Sequence, residues 1–162
     1  MSRIKTFAAS NFRSIIGGKD PFVIIEEFIA QLKFDPDECE RERTSDSGRW
    51  MLDLDETGRE LEVILEGAKK SNECSVYLGV NIISVPIRGS ADLLAAALEI
   101  ADGLVGTKVS LVGHYLVLSA AVAMAGISAE DLVYYYKLIE VQLDWFRDTL
   151  IEELNLDGDE IE

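Results

Sequence analysis

The sequence predicts an α+β domain built on a single, mostly antiparallel five-stranded sheet, with elements in the order α-βββ-α-ββ-α. Three observations lead there. Trp50, Leu52 and Leu54 alternate with Met51, Asp53 and Asp55, and Leu61, Val63 and Leu65 alternate with Glu60, Glu62 and Glu66; each segment is a strand with one wet face. Cys74 to Val85 is a longer apolar run that reads as the central strand. Apolar residues recur at helical spacing before these strands, after them, and near the C-terminus.

Each element has its own signals. Asp20-Pro21 starts the first helix, with Asp20 as N-cap and Pro21 in the first helical position. Phe22, Ile25, Phe28, Ile29 and Leu32 form its stripe, and the helix ends before Pro36. Residues 37–48 are dense in charge and small polar side chains, and read as an exposed, mobile loop. Thr57-Gly58 turns the first two strands, and Pro86 and Gly89 close the central one. Ser90 caps an alanine-rich helix that Gly106 stops. Lys108 to Val112 and Tyr115 to Met124 are strands joined by Gly113-His114, where Gly in the first central position fits a II′ turn. Ser128 and Asp131 make a capping box with Asp in place of Glu. The last helix runs to about Leu154 on a stripe that includes Leu132, Ile139, Leu143, Phe146 and Leu150. The expected organisation is an arm over 1–19, one domain over 20–156 and an acidic tail over 157–162.

The chain has 162 residues, enough for one domain that buries a core without disulfide or metal. Thirty acidic residues against 15 basic leave a net charge of −15, which repels nucleic-acid backbones and suits basic or apolar partners. No apolar stretch approaches the ~20 residues of a membrane span, and the first residues lack the apolar core of a secretory signal. The expected location is the cytoplasm. Cys39 and Cys74 have no CxxC spacing and read as unpaired thiols.

The stretches SVYLGVNIISVP, SADLLAAALEIADGLVG, TKVSLVGHYLVLSAAV and GISAEDLVYYYKLIEVQLDWF, in this order, resemble the class I type III secretion chaperone fold, to which the YbjN-domain proteins are similar. The resemblance covers most of residues 22–154 and rests on element order rather than on a chemical signature. It implies a homodimer that cradles an extended segment of a partner polypeptide across the sheet and first helix. It does not imply an enzyme, and neither a cofactor nor a metal is expected.

The motifs that suggest chemistry are weak. Asp53-Leu-Asp55-Glu-Thr57 has the DxDxT form of a magnesium-dependent phosphatase, in which the first Asp attacks phosphorus and the second acts as acid and base. Only Trp50-Met51-Leu52 precedes it, where that chemistry needs a long buried strand. As a calcium loop the same residues fail at the twelfth position, Ile64, where Glu is required. His114, the only histidine, falls at a hairpin tip. Tyr134-Tyr135-Tyr136 cannot share one helix face, since neighbours point ~100° apart.

The expected function is therefore a non-enzymatic, chaperone-like or regulatory binding module. The alternatives are the phosphatase reading and a purely structural dimer. Phe22, Ile25, Phe28 and Ile29 with Met51, Ile64 and Ile83 are the expected partner-binding patch, because the last three interrupt otherwise polar strand faces. The alternative for these side chains is a second small core. Leu93, Leu94, Ala97, Leu98 and Ala101 are the expected dimer surface, because a helix apolar all round should be covered on more than one side.

Overall fold

The computed structural model describes residues 18–56, 58–70, 73–86 and 90–154. The arm expected over 1–19 lies outside them except for Gly18 and Lys19, and the tail over 157–162 lies outside them entirely. The described elements are α1 (Pro21–Gln31), α2 (Pro36–Cys39), β1 (Glu40–Arg43), β2 (Gly48–Asp53), β3 (Glu60–Glu66), β4 (Ser75–Ser84), α3 (Ser90–Ala101), β5 (Lys108–Val112), β6 (Tyr115–Ala123) and α4 (Ala129–Leu154). The six strands form one sheet in the order β1-β2-β3-β4-β6-β5, and every neighbouring pair is antiparallel.

The sheet has one strand more than the sequence predicts. Glu40–Arg43 lies where an exposed, mobile loop is expected, and it pairs with β2. The sequence Glu-Arg-Glu-Arg has no apolar alternation to announce a strand. What orders it is the neighbouring edge, whose backbone N–H and C=O groups need partners. Charge on such an outer strand discourages pairing with further chains.

The remaining boundaries follow from local chemistry. The Phe22 amide donates to Asp20 Oδ1 at 3.0 Å, closing the first turn of α1. α1 ends at Gln31, and Lys33 takes a positive φ of 73° in the turn that follows. α3 stops at Ala101, five residues before Gly106. In the β5–β6 turn Gly113 has φ 60° and His114 has no positive φ, the pattern of a II′ hairpin. The capping box closes as expected: the Ser128 amide donates to Asp131 Oδ2 at 2.8 Å, and the Asp131 amide donates to Ser128 Oγ at 3.2 Å. The Ser128 amide and hydroxyl, both donating to it, hold the Asp131 carboxyl below the usual carboxylate range.

The core occupies one face of the sheet. Trp50, Val63 and Leu78 lie side by side across β2, β3 and β4, and all three are fully buried. Leu52, Leu61, Val80 and Leu118 form the next row. α4 lies across β4 and β6, with α1 and α3 both packed against it. Among the described residues no helix covers the other face.

Candidate binding surfaces

The stripe of α1 is spent in the core. Phe22 is 8% exposed, and Ile25, Phe28 and Ile29 are fully buried. The phenyl ring of Phe22 meets the indole of Trp50 edge-on, with centroids 6.3 Å apart. These four residues therefore do not form the surface patch expected of them. They close the core between the sheet and α4, the second of the two arrangements their spacing allows.

Ile83 is likewise not on the bare face. Its alternation with Tyr77, Gly79 and Asn81 places it there, but the β4–β6 ladder slips between Asn81 and Ile83. The bulge turns Ile83 to the core side, opposite Leu116, and leaves it 7% exposed.

Met51 and Ile64 do lie on the bare face, both half-buried. The exposed Arg49–Glu62 ion pair, 2.7 Å apart, runs diagonally between their strands. Beyond Ile64 the phenol of Tyr77 lies over Gly79, where an added Cβ would fall 2.6 Å from the ring. Any larger residue at 79 would push the ring away. Burial raises the Tyr77 phenol pKa, and the neighbouring Ser119 hydroxyl partly offsets this. Ser119 is fully buried on the same face, its hydroxyl outside hydrogen-bonding geometry. This face thus carries an apolar centre, a charged flank on β2 and β3, and a floor of small residues on β4 and β6.

α3 is divided between core and water. Leu93 and Ala97 face inward at 6% and 2% exposure, Leu94 and Ala101 are half-buried, and Leu98 is 72% exposed. The segment after α3 folds back onto α4. Gln142 Nε2 donates to the Val105 carbonyl at 2.9 Å, Thr107 Oγ1 donates to Gln142 Oε1 at 2.6 Å, and Gly103 sits beside the Trp145 indole. Exposed Val105, Val141 and Trp145 are thereby gathered near the end of α3. Sequence reasoning passes over these three. The spacing of Val141 and Trp145, one helical turn apart but off the core stripe, is the signal that could have found them.

The DxDxT residues lie in a β-hairpin. Asp53 is exposed at the end of β2 opposite Glu60, and Thr57 falls outside the described residues. Asp55 pairs with Arg59 at 3.6 Å, and Arg59 also reaches Asp144 at 3.4 Å. Behind them is a cavity of about 70 Å³ lined by residues including Asp55, Arg59, Tyr136 and Glu140. Ligand pockets are several times larger, at roughly 300–1,000 Å³. Burial and the adjacent Glu140 charge push the Tyr136 phenol up to about 12, and its hydroxyl donates to Glu140 Oε1 at 3.1 Å. Among the described residues no group of three or more His, Cys, Asp and Glu is arranged to hold a metal ion. His114 is exposed at the β5–β6 turn, and Cys39 and Cys74 are both buried. No described helix is long and apolar enough to cross a membrane.

No family model matches the sequence, and no curated protein is similar to it. Solved structures do share the fold. A chain of the ExsC–ExsE complex aligns with a TM-score of 0.54 at 12% identity, over 80% of this chain and 92% of that one. A chain of the HopA1–SchA chaperone–effector complex aligns with a TM-score of 0.50 at 12% identity, over 78% of this chain and 91% of that one. The likeness is one of fold, which in this chain is an antiparallel sheet with the described helices on one face.

Proposed function

We propose that this chain is a non-enzymatic, cytoplasmic binding module, chaperone-like or regulatory, that holds an extended segment of a partner polypeptide. The observation that carries the proposal is an antiparallel sheet with one face free of described helices and edge strands at both sides, in a fold found in a chaperone–effector complex. A face with Met51 and Ile64 at its centre and Glu60, Glu62 and Glu66 beside them suits a segment that alternates apolar and basic residues. The likeness to the YbjN-domain proteins belongs to the same proposal. The net charge of −15 weighs against nucleic acid as the partner.

The module is proposed to act as a homodimer through α3. Leu98, Val105, Val141 and Trp145 give an exposed apolar surface that a second copy would cover.

The test is capture from native lysate with tagged wild type and an Ile64→Asp variant, read by mass spectrometry. The expected result is a specific partner that the variant loses while its melting curve is unchanged. Equal capture by both removes the bare face from the proposal. Phosphatase activity that disappears in Asp53→Asn overturns the non-enzymatic reading. Light scattering at micromolar concentration should give the mass of two chains for wild type and of one for Leu98→Asp.

A further inference from the structure

The sheet ends in two unlike edges, β1 and β5. All four residues of β1 are charged, and only Glu40 is partly buried. Its ladder to β2 is irregular: Glu40 opposes Trp50, Glu42 opposes Arg49 and Arg43 opposes Gly48. Trp50 and Gly48 are core-side positions, so Glu40 stands where the buried row Leu78, Val63, Trp50 would continue, and Arg43 where the row Val76, Leu65, Gly48 would. The most aromatic corner of the core is therefore covered by charged side chains.

Apart from its ladder to β2, β1 is fastened at its ends. Before it, Cys39 is buried and the Asp37 amide donates to Asp35 Oδ1 at 3.0 Å. After it, Asp46 accepts from the Lys69 amide through its carboxylate at 2.7 Å and from the Ala68 amide through its carbonyl at 2.9 Å. Between these anchors the side chains hold by exposed charge. The Arg43 guanidinium lies 4.5 Å from the centroid of the Phe22 ring, and it pairs with Glu26 at 2.7 Å and Glu40 at 3.1 Å. Exposed pairs of this kind contribute little to stability. Beneath them the indole Nε1 of Trp50 is buried without an acceptor.

We infer that β1 is a displaceable strap on the β2 edge, and that an extended segment with an apolar residue in place of Glu40 and an Arg or Lys in place of Arg43 takes its position. The inference rests on the polypeptide-binding reading and names the edge at which binding is regulated. Strand addition of this kind draws affinity from main-chain hydrogen bonds and specificity from alternate side chains. The incoming apolar residue extends the Trp50 row, and the incoming cation inherits Glu26, which loses its partner when Arg43 leaves. A chain of net charge −15 attracts such a segment before contact. While the strap is in place it blocks the edge against other strands.

The test uses full-length protein carrying Glu42→Cys and Arg49→Cys, which face each other in the ladder, in a Cys39→Ser background. The probe is a fluorescein-labelled peptide of residues 37–47 with Glu40→Leu and Cys39→Ser. The reduced variant should bind the peptide as wild type does, and the oxidised variant should bind about tenfold more weakly or worse. Hydrogen exchange of wild type should show Glu40–Arg43 amides losing protection when the peptide binds, while β2 amides keep theirs. Arg43→Glu, which sets a carboxylate against Glu26, should bind the peptide about threefold more tightly or better, with an unchanged melting curve. Equal binding by oxidised and reduced forms overturns the strap, as does absence of binding by both wild type and Arg43→Glu. If a lysate partner is captured equally by the stapled form, the strap fails and the polypeptide-binding reading stands. If no form captures a partner while the peptide obeys the staple, that reading fails and the strap stands.

Discussion

α1 and α3 look alike in sequence, two short helices rich in apolar residues, yet they end in different places. α1 puts its stripe wholly into the core, with Ile25, Phe28 and Ile29 at zero exposure. α3 splits its residues, with Ala97 at 2% and Leu98, its neighbour, at 72%. The difference lies in what surrounds them. α1 meets the sheet through Trp50 and Phe22 and also meets α4, whereas α3 meets α4 and the edge strand β5. A helix at the end of a sheet has less surface to lean on, and its outer apolar residues are left for another molecule.

The largest expected effect is in α1. Ile25→Asp buries an unpaired charge and should cost more than ~4 kcal/mol, a large part of the ~5–15 kcal/mol that holds a domain together. Circular dichroism should then show no cooperative melt at growth temperature. A folded Ile25→Asp protein would mean that α1 can lift from the sheet.

Leu93→Ala, on the inner side of α3, comes next. Removing a buried leucine side chain costs ~2–5 kcal/mol, and each kcal/mol lowers Tm by about 2–4 °C in a chain of this size. A shift under about 2 °C would place this side of α3 outside the core.

A smaller effect is legible on α4, the helix both others pack against. The neutral Tyr136 phenol is favoured in the folded state, where it titrates at about 12, against about 10 for an unfolded tyrosine. Its contribution is complete below pH ~10 and is lost as pH rises towards ~12. Tyr136→Phe should remove the highest-pH step of phenolate absorbance and flatten the alkaline fall in stability.

Leu98→Asp should change the stability of the single chain least, by within ~0.5 kcal/mol, because the residue already stands in water. Urea melts at low protein concentration measure this. A loss comparable to that of Leu93→Ala would show that Leu98 is covered within one chain.

Much of this architecture was readable from the residues. Alternation at Trp50–Leu54 and Leu61–Leu65 placed β2 and β3, Gly113 placed the hairpin, and Ser128 with Asp131 placed the start of α4. What was not readable was set by neighbours. Glu40–Arg43 is a strand because β2 has an open edge, which no property of the four residues announces. Ile83 changes face because of a bulge, and one slipped residue inverts everything beyond it. The surface was harder still. Periodicity found the apolar stripe of α1 but could not say whether sheet or solvent lay opposite, and it passed over Val141 and Trp145 because they lie off the core stripe of α4.

The docking of α1 on α4 joins the first described helix to the last, and this bears on how the chain is made. α1 is complete once Gln31 has been added, but α4 ends only at Leu154. At ~5–20 residues per second the ribosome needs on the order of ten seconds to cover that distance. Throughout it, Ile25, Phe28 and Ile29 have no finished surface to close against. The same three residues that lock the mature core are thus exposed apolar surface at birth, and the rate of synthesis of the downstream chain sets how long they must be shielded.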